Sequence, residues 1–412
     1  MKIVSKKMYV VKEKECFDRE TRLAMIQSLI PYGMKMLEAE LQAELNELTG
    51  EKGKHGKEIV RWTKQKGYAF LRDQRMPVKY QRARNKNTNE EVVLESYKRF
   101  QKPYLEDEQT FKKLLNGISM RKYRESAELV PEVCGLSSSN MSKRFKNATA
   151  RRLKEFQNRK LDKYTFFAII VDGKMFGEYG VTVALGITDK GRKIPLGLEQ
   201  VGSENCIAIG NFFEKLKERG LKYEHGLLFV VDGSKGEGKA IKEQFKGRGL
   251  MQRCQFHKRE NILSYLPKKE HGYWSRRIQD AYSKEKYEEA KELLMGIKTE
   301  LRKKNPSAAN SLEEGFEETL TIHKLGVAEL LRTSLKTTNC IESMFSQVER
   351  YTRRVCRWRN GDQIQRWAAT SLLEAEKGFN KVKGWKYIKA LMENIKARAV
   401  DQVKEFKALK AA

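Results

Sequence analysis

Leu227-Leu-Phe-Val-Val-Asp232 is the stretch that decides the fold: five apolar residues ending in a carboxylate, with Gly233 next. An apolar run this short, closed by a turn signal, reads as a fully buried strand. A carboxylate at its exit stands at the rim of a sheet, where α/β folds keep their chemistry. The pattern occurs twice, since Phe166-Phe-Ala-Ile-Ile-Val-Asp172 also runs into Asp-Gly. Two buried strands that each deliver an aspartate suggest a metal site.

The neighbouring sequence extends this into a domain. Thr165–Val171, Tyr179–Ile187 and Arg192–Leu198 are strand-like, with turns at Gly173–Gly177 and Thr188–Gly191, and predict an antiparallel meander. A helix is expected over Ser203–Arg219, capped by Ser203 and closed by Gly220. After the Leu227 strand come a helix over Lys239–Phe245 and a short strand over Leu250–Cys254. From Lys258 to about Arg332 the strand signal disappears. That region is charged and helix-forming, as over Ser283–Glu300, with Pro267 and Pro306 as breaks. A long basic helix is expected from Thr337-Thr338-Asn339 to Arg359, and helices finish the chain. The fold class is therefore α/β: a mixed five-stranded sheet flanked by helices and interrupted by an all-helical insertion. The expected bounds are 161–257 for the first part of the core, 258–335 for the insertion and 336–412 for the rest.

Upstream, Leu29, Leu37, Leu41, Leu45 and Leu48 fall mostly at three- and four-residue steps before Gly50. They predict a helix used for dimerisation or docking, or lying on its own domain. Residues 51–60 read as a linker, and Arg61–Tyr97 as short strands with the basic run Lys79–Lys86 between them. Residues 1–105 form this N-terminal region, and 106–160 read as a helix-turn-helix. Its helices are Phe111–Leu115, ended by Gly117, then Tyr123–Val130, then one after the break Pro131–Gly135 that Ser137-Ser-Ser-Asn140 caps. The last carries Lys143, Arg144, Lys146, Arg151, Arg152, Lys154, Arg159 and Lys160 against the single acid Glu155. Such a helix suits a DNA major groove; the alternative is a long solvated connector.

The chain has 412 residues, enough for two to four domains, and its hydrophobic fraction of 40% suffices for real cores. The formal charge of +29 makes nucleic acid the expected partner, because bound phosphates release counterions. A solvated basic surface is the bland alternative. No run of eighteen apolar residues occurs, so no membrane partner is expected, and Met1-Lys-Ile-Val-Ser lacks the apolar core of a signal peptide. Six scattered cysteines, at 16, 134, 206, 254, 340 and 356, fit reduced thiols in a cytoplasm.

Three motifs bear on chemistry. Gly233-Ser-Lys-Gly-Glu-Gly238-Lys239 has P-loop spacing, but Ala240 stands where the magnesium-binding hydroxyl belongs, so local turn chemistry is the better reading. Cys254-Gln-Phe-His257 has the spacing of half a zinc site with no other half. The pair follows the strand next after Asp232 and is better suited to placing Asp232 or a phosphate. A two-metal clamp needs a third carboxylate. Glu342 is the candidate, early in a capped helix; Arg350 shares its face, and Arg353, Arg354, Arg357 and Arg359 follow. Taken singly, Glu342 is also what a helix dipole favours in a first turn.

The order Asp172, Asp232, Cys254-x-x-His257, helical insertion and Asn339-Cys-Ile-Glu342-Ser resembles the Mutator-type transposases of bacterial insertion sequences. Ile194-Pro-Leu-Gly197 and Glu204-Asn205 resemble phrases of that family. The resemblance implies an RNase H-like core with a catalytic triad of Asp172, Asp232 and Glu342 holding Mg²⁺, for which Mn²⁺ substitutes. It maps Cys254 and His257 onto a supporting motif. It further implies double-stranded DNA as partner (terminal inverted repeats and target), a homodimer pairing two ends, and cleavage followed by strand transfer. Lys143, Arg144, Arg151, Arg152, Arg350, Arg353 and Arg354 are the candidate DNA contacts. Trp274 either stacks on a base or fills the insertion's core, and Trp358, between Arg357 and Arg359, raises the same question. One departure is visible: many such enzymes carry a base seven positions after the glutamate, where this chain has Glu349. The rival classes are a DNA-binding protein without catalysis and a general nuclease or resolvase.

Overall fold

The structure, a computed structural model, describes residues 19–53, 58–71, 74–101, 108–117, 138–200, 206–327 and 329–411. The chain divides into two compact units, 1–148 and 149–412.

In the first unit the helix Arg19–Thr49 packs on a three-stranded antiparallel sheet of β1 (Ile59–Leu71), β2 (Gln74–Asn85) and β3 (Glu91–Val92). Leu37, Leu41 and Leu45, one helical turn apart, bury against Ala69, Val78, Ala83 and Leu94. The leucine ladder thus covers its own sheet. The basic run Lys79–Lys86 lies mostly within β2 rather than between strands, because β2 pairs with β1 along this run and buries Val78 and Ala83 in the core under the helix. The expected helix before Gly117 is present as Glu108–Leu115. The expected helix Tyr123–Val130, the break Pro131–Gly135, Ser203 and Glu204-Asn205 lie outside the described residues. The basic helix runs Ser138–Asn158, so Ser138, Ser139 and Asn140 form its first turn instead of preceding it.

The second unit is built on a five-stranded mixed sheet: β4 (Phe166–Phe176), β5 (Tyr179–Thr188), β6 (Lys193–Gln200), β7 (Leu227–Val231) and β8 (Gly249–Arg253), in the order β6-β5-β4-β7-β8. The β4-β5-β6 meander is antiparallel, while β7 pairs parallel with both β4 and β8. Phe167, Ile170, Leu228 and Val230 point to one face, beneath the helices Asn339–Thr352, Gly361–Glu376 and Ile388–Ala411. Phe166, Ile169, Val171, Leu227, Phe229 and Val231 point to the other, beneath Cys206–Glu218 and Lys235–Phe245. Burial on both faces is why these strands read as continuous apolar runs.

The insertion, from the helix Gln255–Leu263 to the helix Glu329–Leu335, is helical and has its own core around Ile278, Leu294, Leu301 and Leu320. The stretch expected as one helix over Ser283–Glu300 is instead the end of His271–Ser283 and most of Tyr287–Lys304. A buried cation fastens the insertion to the sheet: Arg253 Nη1, at the end of β8, donates to the Glu314 carbonyl at 3.0 Å, and the buried Lys258 Nζ within the insertion donates to the same oxygen.

Three further boundaries differ from expectation. β4 continues through Gly173 to Phe176, since Gly173 to Phe176 pair with Thr182 to Tyr179, so Asp172 lies within the strand, opposite Val183. The glycine-rich stretch after Asp232 forms no phosphate loop. Gly233 takes a left-handed φ of 104°, Ser234 Oγ accepts from the Glu237 N–H at 3.2 Å, and Gly238 and Lys239 are already inside the helix. The Glu342 helix ends at Thr352, which leaves Arg353, Arg354, Arg357 and Arg359 beyond it.

A side chain at 233 is doubly excluded, by φ and because a Cβ there would lie 2.1 Å from Arg253 Nε. Gly233→Ala is therefore expected to lower the unfolding free energy by about 1–3 kcal/mol. Gly296→Ala, mid-helix with nothing within 4 Å of its Cβ position, should raise it by about 0.5–1 kcal/mol. Urea denaturation of both variants checks the contrast.

Candidate active site

Strand alternation brings the predicted carboxylates to one face. Asp172 has the parity of Ile170 and Asp232 that of Val230, and both of those apolar residues pack with the Glu342 helix. β4 and β7 are in parallel register with Ile170 opposite Val230. Two residues further stand Asp172, still within β4, and Asp232, just past the end of β7, near enough that the charge of Asp232 bears on Asp172. The helix Asn339–Thr352 lies over this edge with Ile341, Met344, Phe345 and Val348 buried, and Glu342 stands in its first turn.

The electrostatics register the gathering. Burial pushes the Asp172 carboxyl up to about 6; the Gly173 N–H, 2.8 Å from Oδ1, and His257 oppose this, while the charges of Asp232 and Glu342 add to it. Repulsion among three carboxylates is what a divalent cation would relieve, and hard oxygen donors suit Mg²⁺ or Mn²⁺. Among the described residues no three His, Cys, Asp or Glu side chains stand ready-made around one ion. Asp232 and Glu342 are instead each turned to a supporting residue.

For Asp232 that residue is His257. Its Nδ1 lies 3.0 Å from Asp232 Oδ1, although the ring N–H is not aimed along that line, so the contact is one of charge more than a straight hydrogen bond. Asp232 and then Cys254 push the His257 imidazolium up to about 11, which leaves it charged at neutral pH. Glu342 Oε1 accepts a hydrogen bond from the buried Thr338 hydroxyl at 2.9 Å, and Thr338 Oγ1 lies 3.7 Å from Cys254 Sγ. Asp232, His257, Cys254, Thr338 and Glu342 thus form one run of polar neighbours. The Cys-x-x-His spacing places both residues in this run. Burial pushes the Cys254 thiol up, and hydrogen bonding to His257 more than offsets that.

Sequence reasoning gave Thr338 no role beyond the start of a capped helix. It does occupy the cap position, but its side chain caps nothing. Glu237 was missed as well. Ser234-x-x-Glu237 is a capping box, and the spacing alone could have shown it. Burial, then the charges of Asp232 and Asp172, push its carboxyl up to about 7, and its Oε2 has no partner. Lys174 was the third omission; it shares the face of Asp172 two residues on, and its Nζ lies 2.6 Å from Glu349 Oε1.

The predicted DNA contacts divide. Lys143, Arg151, Arg350, Arg353 and Arg354 are exposed. Arg144 is half-buried and sits over the Phe70 ring at 5.8 Å, and Arg152 pairs with Glu374. Trp274 is 4% exposed within the insertion's core and donates its indole N–H to Glu270 Oε2 at 3.2 Å. It is a packing residue here, because the amphipathic helix turns it inward.

A mixed α/β sheet with carboxylates gathered where β4, β7 and a covering helix meet defines the class of protein. Residues 15–382 match the family described as "Transposase, Mutator family", and the chain belongs to that family. It is 30% identical over 248 residues to the transposase for insertion sequence element ISRM5 of Rhizobium meliloti, a match covering 58% of this chain and 60% of that one. It is 29% identical over 273 residues to the transposase for insertion sequence element IS256 in transposon Tn4001 of Staphylococcus aureus, covering 63% and 66%. The chain thus spans about three fifths to two thirds of the length of these relatives. Among the described residues no helix is long and apolar enough to cross a membrane.

A carboxyl held protonated by its surroundings destabilises the fold once ionised. The folded state binds the Asp172 proton more tightly than the unfolded chain, so stability falls as pH rises from about 4 to about 6 and then stays lower. In metal-free buffer Asp172→Asn is expected to be more stable than the parent at pH 7, by on the order of 2 kcal/mol. The difference should close near pH 4, as followed by thermal melts across pH. An equal difference at both pH values would mean that burial does not push the Asp172 carboxyl up.

Proposed function

We propose that this protein is a DNA transposase with an RNase H-like core. Asp172, Asp232 and Glu342 hold two Mg²⁺ ions, or Mn²⁺ in their place, to cut and join the ends of its own insertion sequence. The observation that carries this is the partly buried Asp172 carboxyl at the end of the β4–β7 pairing, beneath the Glu342 helix and within reach of the charges of Asp232 and Glu342. The antiparallel meander continued by two parallel strands supports the RNase H-like assignment, and the family to which the chain belongs supports the reaction.

When bound, the metal pair supplies activation of an attacking oxygen and stabilisation of a leaving one. The chain's own residues do the rest. The His257 imidazolium holds Asp232 in place, and the Thr338 hydroxyl fixes the carboxylate of Glu342. Asp172, held partly protonated by burial, gives up its proton as it takes a cation, so metal affinity should weaken as pH falls below about 6. Arg350, Arg353 and Arg354, with Lys143 and Arg151 on the basic helix, neutralise phosphates of the terminal inverted repeats and of target DNA. A homodimer pairs the two ends.

Labelled duplexes of the inverted repeats flanking its gene, in Mg²⁺, test this. Wild type is expected to nick at the repeat tip or transfer the strand, and Asp232→Ala to bind without cutting. Tight binding with no cleavage by wild type would make it a DNA-binding protein without catalysis. Arg350→Ala and Arg353→Ala should each lower the slope of log affinity against log salt by about 1, as loss of one phosphate contact requires.

A further inference from the structure

A cavity of about 390 Å³ opens between the β4–β5 hairpin and the end of the Glu342 helix, lined by Lys174, Met175, Phe176, Arg350, Arg353 and Trp358 among others. Its size lies in the range, about 300–1,000 Å³, of pockets that take a small organic ligand. Its walls are two-natured. Trp358 is half-buried and packs edge-to-face on Phe176 with ring centroids 5.6 Å apart, and Met175 beside it is 62% exposed. Gly177 lets the indole approach the hairpin turn, since a Cβ there would lie 3.0 Å from Trp358 Cδ1. The other wall carries Lys174, Arg350 and Arg353 against Glu349 alone, a surplus of positive charge.

The cavity adjoins the carboxylates through the same two elements. Lys174 is two residues beyond Asp172 on one strand face, about 7 Å along. Glu349 is seven residues beyond Glu342, on the same helix face about 10 Å along. It forms an ion pair with Lys174, and both residues line the cavity. DNA advances about 3.4 Å of axis per nucleotide, so a strand whose phosphate lies at the carboxylates reaches the cavity within three nucleotides.

We propose that this cavity receives one unstacked nucleotide of the bound DNA, with its base against the Trp358 indole and its phosphate among Lys174, Arg350 and Arg353. An aromatic face accepts any base, and a cationic rim accepts its phosphate. Unpairing is favoured next to a strand that must be distorted for chemistry. The proposal rests on the transposase reading above. It gives Trp358 the base-stacking role that Trp274, buried in the insertion, does not have the exposure to fill.

The test is a cycle between protein and DNA. End duplexes are made intact, or abasic at each of the three positions on either side of the scissile phosphate, and bound by wild type, Trp358→Ala and Trp358→Phe. On intact duplex Trp358→Ala should lose about 5- to 150-fold in affinity, the worth of one base stack, and Trp358→Phe much less. The loss should vanish on one abasic duplex. An equal loss on every duplex would make Trp358 purely structural and overturn the proposal, as would no loss on any. Because Trp358 also packs on the core, a second readout uses wild type alone. Photo-activated 5-iodouracil placed across the same positions should cross-link to the peptide of Met175 or that of Trp358; cross-links elsewhere only would overturn it. Deoxynucleoside monophosphate binding as tightly as the duplex would reassign the cavity to a diffusible nucleotide. If wild type neither binds nor cuts the intact duplex, the transposase reading itself fails; if it does both and the scan is flat, only the cavity assignment fails.

Discussion

The parallel pairing of β4 with β7 is the constraint on which the rest depends. It places Ile170 opposite Val230, and every position two residues apart on those strands then shares a face. The same alternation that buries Ile170 and Val230 under the Glu342 helix carries Asp172 and Asp232 to that side of the sheet. A one-residue slip of β7 would turn Asp232 to the opposite face, toward Ala240 and Ile241, and separate the carboxylates. The register is protected by burial: Leu227 to Val231 are wholly inaccessible, so both faces of the strand specify it.

Supporting residues reach this edge from distant segments. His257 comes from the helix after β8, whose first N–H beyond the strand, that of Cys254, donates to the Val231 carbonyl at 2.8 Å. Thr338 and Glu342 come from beyond the whole insertion. The insertion is therefore fastened rather than hung loosely, with Gln252 and Gln255 side chains both donating to the Thr319 carbonyl at 2.9 Å and Arg253 and Lys258 to that of Glu314. Buried amides and cations so engaged cannot be lost cheaply, since each leaves an unpaired polar group. A rigid insertion keeps His257 and Thr338 in one geometry.

Much of the core was legible in sequence, for physical reasons that differ by element. β7 and its terminal Asp232 could be read because a strand buried on both faces has no alternation to confuse, and Gly233 marks its end. β4 was found but stopped five residues early: Gly173 signals a turn, yet cross-strand pairing with Thr182 carried the strand on. That overrun hid Lys174, whose partner Glu349 lies 175 positions away and could not be paired with it by local pattern. Glu342 was singled out by its place in a capped helix and by family resemblance. The hydroxyl that holds it was not legible, because a threonine before a helix ordinarily caps it. Exposure was the least legible property. Arg152 and Trp274 stand in sequence like their exposed neighbours, and only the packed helices show them turned inward.

Localised iron cleavage would test the central claim most directly. Fe²⁺ replacing Mg²⁺, with ascorbate and peroxide, generates hydroxyl radicals that cut the backbone only beside the bound metal. The carboxylates proposed to share a metal site come from three separated segments, so cuts are expected together near residues 172, 232 and 342, and excess Mg²⁺ should suppress all three. Cleavage near one of them alone, or at a cluster elsewhere in the chain, would contradict a shared site.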